Sequence, residues 1–498
     1  MNVNPITRLD YPDPDVIRVE DTYYMVSTTM HFMPGCEILQ SFDLVHWEHV
    51  TYVYETLDHT DAQQLKSGQN IYGQGMWAAS LRYHEGRFYI CFVANDTRKT
   101  YLYTSEKIDG PWKKQLIEGF YHDGSLLFDE DGRNYIVYGN DEIWITELNE
   151  DLTAPKKDGL HRLLVSDHKN PELGYEGSHI QKINGYYYIF LIHSLRDRWM
   201  RTEACFYSDS LEGEFTGGDV LCDDRGYCGQ GVAQGGIVDT PDGKWYAMLF
   251  QDSGAVGRIP ILVPVTWKDH FPFFGQNGHV PEEIEVHSTR PGYIYQPLVG
   301  SDDFCNGLLP RWQFNHDPDP RYYHLDALQG TYTITTREVC TELTQAVNTL
   351  TQRMSYPSCA AEVTVDASAL KEGDVAGLCA LQGCYAAVGI TKHHGKYEVL
   401  MLDKKEDGIL DMTEGTVVES HQMDFRLEAD FCNMKDEARC YYRVNKGDWL
   451  PIGTVHKLYF KLDHFTGCRF GLFCYAAEET GGSACFRDFK YYDVDEIS

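Results

Sequence analysis

Three acidic residues occupy matching positions in a sequence pattern that recurs along the first half of the chain. Asp13, Asp123 and Glu176 each stand about three residues ahead of a short apolar run, and Trp77 and Gln234 hold the same place in two further copies. Carboxyl groups that lie close together acquire different pKa values, so one can donate a proton while another accepts one. The set therefore indicates general acid and base chemistry if the fold brings these positions together.

The recurring pattern predicts the elements that would do so. Every copy continues through its apolar run and a tight turn into a second run rich in tyrosine and β-branched residues. Asn184-Gly185, for example, is a hairpin turn signal. The aligned aromatic residues of the second runs are Tyr24, Tyr89, Tyr135, Tyr188 and Tyr246. Their spacing of about 45 to 65 residues is typical of propeller blades, so we predict a five-bladed β-propeller over residues 1–297.

Blades related by rotation about one axis direct equivalent positions at the same central mouth. On that arrangement the three acids and Trp77 share one pocket. A single aspartate in so acidic a sequence more commonly caps a turn or solvates a strand end. Three acids at one phase of the repeat favour a shared site instead.

Further side chains are expected around this pocket. The loop Ser27 to Gly35 carries apolar side chains that a blade cannot bury completely, so we predict that it forms a wall with Met30 and His31. Ala78 lies beside the leading residue of the second copy. Arg258 interrupts an apolar stretch, where a guanidinium needs a carboxylate partner, either a structural one or one of the central acids. We predict the central acids.

Composition narrows the range of partners. The 498 residues carry a formal net charge of -32, which makes nucleic acid or an anionic membrane an unfavourable partner. No stretch approaches 18 consecutive apolar residues, and no basic segment with an apolar run opens the chain, so neither a span nor a signal peptide is expected. The 15 cysteines are odd in number and include no CxxC pair. Free thiols account for them best, so we expect a cytoplasmic protein without a metal site.

The pattern changes after a linker at Pro281 to Pro297. Alternating segments such as Gly330–Thr335, Ala361–Val365 and Phe486–Tyr491 predict antiparallel strands with one wet face, and the propeller repeat is not found there. We predict a second domain over residues 298–498, a β-sandwich with a structural or carbohydrate-binding role. The whole chain is then all-β.

The motifs together resemble glycoside hydrolase family 43. They are Asp13 within Tyr-Pro-Asp-Pro-Asp-Val-Ile-Arg, Trp77-Ala78 at the start of the second copy, Asp123 before Gly-Ser-Leu, and Glu176 within Glu-Gly-Ser-His-Ile. The resemblance covers the whole chain, since the second half is similar to the concanavalin-like sandwich of that family's β-xylosidases.

The resemblance implies a role for each residue. Asp13 matches the general base, Glu176 the general acid, and Asp123 the carboxylate that raises the pKa of the acid and orients it. Arg258 matches an active-site arginine, and Trp77 an aromatic residue beside the terminal sugar. Met30, His31, Ala78 and Gln234 are further candidates for substrate binding.

The resemblance also implies an activity. It favours exo-acting release of terminal β-1,4-xylose from short xylo-oligosaccharides by inverting acid and base hydrolysis. An α-L-arabinofuranosidase, or a bifunctional enzyme on arabinoxylan fragments, is the first alternative. The second belongs to another class, a propeller that binds carbohydrate without cutting it, which has no need of three carboxylates at one repeat phase.

The expected partner is a small oligosaccharide, and the chemistry requires no cofactor. Many relatives carry a histidine in the central channel near the start of the fifth blade, where some bind a cation, whereas Ala233-Gln234 stand there in this sequence. That departure argues against a structural calcium. The sequence leaves the oligomeric state open, a homo-oligomer included.

Overall fold

The computed structural model describes residues 3–493 and is all-β, as predicted. Its only helical segments among these residues are four short 3₁₀ turns, at Lys66–Gly68, Gly254–Val256, Leu343–Gln345 and Cys432–Met434. No helix in the described part of the chain has the length and apolar character needed to cross a membrane.

Five four-stranded antiparallel sheets form the first half, which confirms the predicted five-bladed propeller. Blade 1 runs β1 (Asp15–Val19), β2 (Thr22–Val26), a loop that contains β3 (Phe32–Met33), β4 (Gly35–Ser41) and β5 (Glu48–Tyr54). Blade 2 contains β6 (Met76–His84), β7 (Arg87–Ala94), β8 (Lys99–Ser105) and β9 (Lys113–Ile117). Blade 3 contains β10 (Ser125–Phe128), β11 (Asn134–Asn140), β12 (Glu142–Leu148) and β13 (His161–Ser166). Blade 4 contains β14 (Glu176–Ile183), β15 (Tyr186–Ser194), β16 (Arg201–Ser208) and β17 (Thr216–Leu221), and blade 5 contains β18 (Ile237–Asp239), β19 (Trp245–Asp252), β20 (Arg258–Lys268) and β21 (Phe271–Phe274).

The hairpin of blade 4 illustrates how the sequence sets these sheets. Ile183 pairs with Tyr186 across the turn, so Asn184 and Gly185 are the two loop residues. Their φ angles of 51° and 85° are both left-handed, as a two-residue type I′ turn requires. The first strands of the blades pack around the central axis, where Arg82 on β6 contacts blades 1, 3 and 4.

Fifteen strands form the second half, in two sheets that pack face to face as the predicted β-sandwich. They are β22 (Gln313–Asn315), β23 (Tyr323–Asp326), β24 (Thr331–Thr335), β25 (Leu350–Arg353), β26 (Ser358–Asp366), β27 (Val375–Leu381), β28 (Ala386–His393), β29 (Lys396–Lys404), β30 (Leu410–Met412), β31 (Thr416–Val418), β32 (Gln422–Asp430), β33 (Glu437–Val444), β34 (Leu450–Lys457), β35 (Arg469–Tyr475) and β36 (Ser483–Asp493). One sheet has the order β23-β24-β36-β26-β32-β33-β34. The other has the order β3-β22-β25-β35-β27-β28-β29-β30, with β31 also pairing with β29.

The two halves share a sheet. The propeller strand β3 pairs with β22 through Met33 opposite Phe314 and Phe32 opposite Asn315, so two residues of a blade 1 loop form the edge of the sandwich. The predicted division between residues 297 and 298 falls in the connection between β21 and β22. Because main-chain hydrogen bonds cross this junction, the sandwich holds the loop that leads into the propeller mouth.

Buried ion pairs fix the same junction. Arg353 of the sandwich lies 2.8 Å from Glu37 of blade 1, and both side chains are almost fully buried. Burial alone would raise the pKa of Glu37, but Arg353 and His49 outweigh it and lower the value to about 2. Asp10 accepts hydrogen bonds from the backbone amides of Arg258 and Gly467, one in each domain. These buried polar contacts therefore hold the sandwich against the mouth of the propeller.

Candidate active site

A narrow cavity opens at the central mouth of the propeller, and eight of the nine residues predicted for the site line it. These are Asp13, Met30, Trp77, Ala78, Asp123, Glu176, Gln234 and Arg258. Four further residues, which the sequence analysis missed, complete the lining: Thr28, His122, Arg201 and Phe465. Every blade contributes at least one side chain, and the sandwich contributes Phe465.

A shared backbone turn aims the leading residues into the cavity. Asp13, Asp123 and Gln234 have φ angles of 52°, 47° and 62°, and Gly177, next to Glu176, has 63°. Left-handed conformations cost non-glycine residues of order 1 kcal/mol or more, so they persist only where the surroundings impose them. Their recurrence in blades 1, 3, 4 and 5 indicates that one turn geometry is repeated at the start of these blades.

Asp13 is held by two donors. Arg258 Nη1 donates to its Oδ1 at 2.8 Å, and Thr28 Oγ1 donates to its Oδ2 at 2.6 Å. Asp13 and Arg258 are 5% and 3% exposed, so water screens this ion pair little. Arg258 thus pairs with a central acid, the alternative favoured from the sequence, and its Nε and Nη2 have no hydrogen-bond partner among the described residues.

Glu176 and Asp123 form the opposite side of the cavity. Asn140 Nδ2 donates to Glu176 Oε2 at 2.7 Å, and the amide of Gly177 donates to Asp123 Oδ2 at 3.0 Å. His122 Nε2 lies between the two carboxylates, 3.5 Å from Asp123 Oδ2 and 3.6 Å from Glu176 Oε2. Three groups that can hold a proton therefore lie in contact.

The electrostatics of this group are coupled. Burial raises the pKa of Asp123 to about 6; the attraction of His122 opposes this rise, and repulsion from Glu176 and Asp13 adds to it. Burial disfavours the charged form of His122, but the carboxylates of Asp123 and Glu176 outweigh it and raise its pKa to about 9. His122 is therefore an imidazolium near neutral pH, and the protons of the cluster are shared among its members.

Gln234 closes the wall between blades 4 and 5. Its backbone N–H donates to Glu203 Oε2 at 2.7 Å, and burial raises the pKa of that carboxyl group well above its usual range. A side chain on Gly177 would place its Cβ 2.7 Å from Cγ of Gln234, so only glycine fits next to Glu176 here. Arg201 lies next to this wall and pairs with Asp252 at 2.7 Å.

His31 does not line the cavity, contrary to the expectation from the sequence. The loop Ser27 to Gly35 contributes Thr28 and Met30 to the lining and then turns away into β3. His31 is 0% exposed and packs against Phe32, Tyr72 and the rings of two sandwich histidines. A side chain without exposed surface cannot contact a sugar, so His31 belongs to the domain junction.

The central channel below the cavity does not fit a calcium ion. The guanidinium of Arg82 occupies it, donating to Asp15 Oδ2 at 2.8 Å, Ser125 Oγ at 2.7 Å and the carbonyl of Ile180 at 3.1 Å. The oxygens that could bind a metal ion thus already accept hydrogen bonds from the guanidinium of Arg82. His179 contacts the other oxygen of Asp15 at 3.1 Å.

Elsewhere in the described residues, one group offers metal-ligand atoms that all lie within 4.8 Å of one another. It consists of His122, Asp123 and Glu176. Their contacts with Asn140 and Gly177 are those of a hydrogen-bonded acid cluster, and we assign no metal to them.

A groove adjoins the cavity and shares Arg201 and Phe465 with it. It encloses about 300 Å³, and its other walls are Trp199, Gln230, Asp252, Gly254, Met434, Phe460, Lys461 and Leu462. Trp199 is 42% exposed and Leu462 72%, so both present apolar surface to the groove. The groove runs between blades 4 and 5 and the sandwich. It meets the cavity at Arg201 and Phe465.

A propeller with convergent carboxylates at its mouth, closed by a sandwich, is the architecture of a glycosidase, and comparison with known sequences agrees. Residues 3–272 match glycosyl hydrolases family 43, and residues 301–492 match the β-xylosidase C-terminal concanavalin A-like domain. The chain belongs to glycoside hydrolase family 43.

Similar proteins span the full chain. A β-xylosidase from Formosa agariphila is 27% identical over 554 aligned residues, covering 99% of this chain and 89% of the relative. A xylosidase/arabinosidase from Butyrivibrio fibrisolvens is 23% identical, with 99% of both chains covered. The solved structure of a bifunctional GH43-CE protein from Bacteroides eggerthii is 42% identical, with a TM-score of 0.92 over 99% of this chain. This chain spans 64% of that protein's length.

Sequence reasoning found the acids because they recur at nearly the same place in each copy. Strand pairing puts Asp13 and Asp123 at one position, and Glu176 one residue ahead of it, next to a bulge in β14. It missed His122 because the residue before the leading acid differs from blade to blade and carries no pattern. It missed Phe465 because that residue lies in another domain, far along the chain from Asp13. Only the three-dimensional junction brings Phe465 to the propeller mouth.

Proposed function

We propose that the protein is an exo-acting hydrolase that releases terminal β-1,4-xylose from short xylo-oligosaccharides with inversion. The observation that carries this proposal is the shape of the cavity: three carboxylates converge in a narrow space that Phe465 of the sandwich closes on one side. A space closed in this way admits the end of a chain and excludes its middle. Inversion is supported by the family resemblance.

In this proposal Asp13 is the general base. Both of its oxygens are fixed by donors, Arg258 Nη1 and Thr28 Oγ1, so the carboxylate is held in one orientation in the cavity. A water molecule between Asp13 and the anomeric carbon loses its proton to the carboxylate as its oxygen attacks. Arg258 is itself buried, so it orients the Asp13 carboxylate for this step.

Glu176 is the general acid. Asn140 fixes Glu176 Oε2, and the proton passes from the carboxyl group to the glycosidic oxygen as the bond to the sugar breaks. His122 contacts both Asp123 and Glu176, and the amide of Gly177, next to Glu176, donates to Asp123. The charge of Asp123 therefore acts on the proton that Glu176 donates. His122, charged near neutral pH, is the donor nearest to Glu176 when the acid has to be protonated again.

The groove beside the cavity suits the rest of the substrate. Trp199 presents an exposed ring, and sugars pack their apolar faces on such rings. Because Arg201 and Phe465 line both spaces, a chain whose terminal sugar fills the cavity continues into the groove. A short oligosaccharide is the partner that fits this arrangement.

The alternative is a preference for α-L-arabinofuranose, or action on both sugars. It is favoured by the relative named as a xylosidase/arabinosidase. The two pentoses can place hydroxyls similarly, so one or two hydrogen bonds separate them, worth about 1–3 kcal/mol. A binding propeller without activity is disfavoured because its ligand would have no use for two acids clustered around a histidine.

The test compares kcat/KM for xylobiose with kcat/KM for an arabinose-decorated xylo-oligosaccharide. We expect the higher value for xylobiose, with xylose released first as the inverted anomer in the proton NMR spectrum. Preference for the decorated substrate would overturn the sugar assignment. An initially retained anomer would overturn the mechanism, and no turnover of either substrate would favour the binding propeller.

A further inference from the structure

Three buried histidines lie at the junction of the two domains, directly behind the cavity. His31 comes from the blade 1 loop, and His316 and His464 come from the sandwich; we call them the junction histidines. Their exposed fractions are 0%, 0% and 6%. The ring of His31 lies 4.8 Å from His316 and 6.0 Å from His464, and Tyr72 packs against all three.

Hydrogen bonding fixes the charge of one of them. The backbone amide of Ile71 donates to Nε2 of His316 at 3.0 Å. A protonated imidazole has no free lone pair, so this bond requires His316 to be neutral with its proton on Nδ1. Ile71 belongs to the propeller and His316 to the sandwich. A bond between the domains therefore exists only while the ring is uncharged.

His464 couples the junction to the cavity. Its ring stacks on Tyr72 with centroids 3.9 Å apart, and its neighbour in the chain, Phe465, lines the cavity 5.8 Å from the ring of Trp77. A side chain on Gly73 would place its Cβ 2.4 Å from the carbonyl oxygen of Leu462, so the two backbones touch here. Moving His464 off Tyr72 would move Phe465 as well.

Among the charges around the junction histidines, Asp463 alone favours an imidazolium, and burial outweighs it. Those that face the rings from the packed elements are Asp463 and Lys404 at His464, Arg469 at His31, and the phenol of Tyr72, whose hydroxyl donates to Thr344. Both ring nitrogens of His31 and Nδ1 of His316 are buried without a hydrogen-bond partner among the described residues. Burial lowers the pKa of His31 and His316 well below the usual range and that of His464 to about 4.

We propose that His316 is a positioning residue that holds the junction, and with it the Phe465 loop beside His464, against the propeller only in its neutral form, so that mild acid opens the cavity wall. The inference rests on the proposed function only in taking Phe465 as a wall of the substrate pocket. It is independent of Asp13, Asp123 and Glu176, because those side chains do not contact the junction histidines.

The direction and the size of the pH effect on opening follow from the difference in histidine pKa between the closed and the open junction. The closed junction has histidine pKa values below the ordinary 6.5, so its stability is complete above that pH and is lost as the pH falls. Between pH 7 and pH 5, a histidine that is neutral when closed and titrates at about 6.5 when open favours opening by about 25-fold.

Hydrogen exchange of the full chain without substrate tests this directly. Exchange is measured at pH 7 and pH 5, with times scaled for the intrinsic rate, in peptides covering residues 70–74, 458–468 and the blade 3 strand β11. We expect the opening equilibrium of the first two to rise at least 25-fold at pH 5, while β11 stays protected. Unchanged protection of residues 458–468, or equal loss in β11, would overturn the proposal.

The matched variant is His316→Gln. Its amide oxygen can accept the Ile71 bond where Nε2 does, but it cannot be protonated in this range. The ratio of opening between pH 5 and pH 7 should be about 25-fold smaller than in the unaltered protein, while His324→Gln, an exposed residue of the same domain, should leave it unchanged. The same ratio in His316→Gln and the unaltered protein would overturn the proposal. If His316→Gln does not fold, the comparison of peptides in the unaltered protein still decides the matter.

Discussion

Glu176 lies where three neighbours act on one proton: Asn140 fixes its oxygen, and Asp123 and His122 carry charge beside it. The expected effect of Glu176→Ala depends on whether the leaving group needs the proton that Glu176 donates. A natural leaving sugar needs protonation, so kcat/KM for xylobiose should fall by about 10²–10⁴-fold. An activated aryl xyloside leaves with little protonation and should lose much less.

The control variants separate this role from others. Asp13→Ala should reduce hydrolysis of both substrates severely, because attack by water is needed in each case. Glu212→Ala, an exposed residue of blade 4, should change neither. Equal losses on xylobiose and the aryl xyloside in Glu176→Ala would argue against Glu176 as the acid.

Asp123→Asn tests the charge beside the acid. Burial raises the pKa of Asp123 to about 6, so its charge is present above that pH and absent below it. The anion is the largest attraction that supports the raised pKa of His122, which contacts Glu176. Removing it lowers the pKa of His122, so the basic limb of the kcat/KM profile should move to lower pH by about one unit.

The measurement is the pH dependence of kcat/KM for xylobiose over the neutral and basic range. Asp131→Asn, a half-exposed aspartate at the turn of the same blade, serves as the control and should leave the limb in place. If the limb of Asp123→Asn does not move while product inhibition is unchanged, Asp123 only orients its neighbours.

At the scale of elements, the propeller was predictable because its signals are local and repeated. Turn residues such as Asn184 and Gly185 specify a hairpin, and the leading residues recur within one position of the same place in each copy. The left-handed backbone of Asp13, Asp123 and Gln234 was not predictable from residue type, since only a small minority of non-glycine residues adopt it. It follows from the repeated geometry at the mouth, which makes the acids converge.

The loop after β2 shows where local signals stop. Its apolar residues indicated a loop that a blade cannot bury completely, and the prediction was that it forms a wall of the pocket. The sequence contains no sign that β22 covers the loop, because pairing between Met33 and Phe314 depends on how the domains dock. His31 was assigned to the pocket for the same reason: its neighbour Met30 lies there, but one step along the chain the loop has entered the junction.

At the scale of the whole molecule, the sandwich completes the site. A chain ending at Gly300 would lack the partner of β3 and would expose Phe32 and Met33, which are 2% and 1% exposed in the full protein. We expect such a chain to be insoluble or inactive. Expression and activity of the shortened chain are the measurement, and a soluble, fully active product would remove the second domain from the mechanism.

The substitution Phe465→Ala distinguishes loss of the cavity wall from loss of folding. Phe465→Ala keeps β3, β22 and the buried pair of Glu37 and Arg353, so the fold should remain. It removes the only side chain that the sandwich, as far as it is described, contributes to the cavity lining. KM for xylobiose should rise by about 10-fold or more with a smaller change in kcat, because the wall contacts the bound sugar before and during reaction. Phe273→Ala, on a half-exposed phenylalanine of blade 5, should change neither constant. An unchanged KM in Phe465→Ala would mean that the sandwich supports the propeller without shaping its pocket.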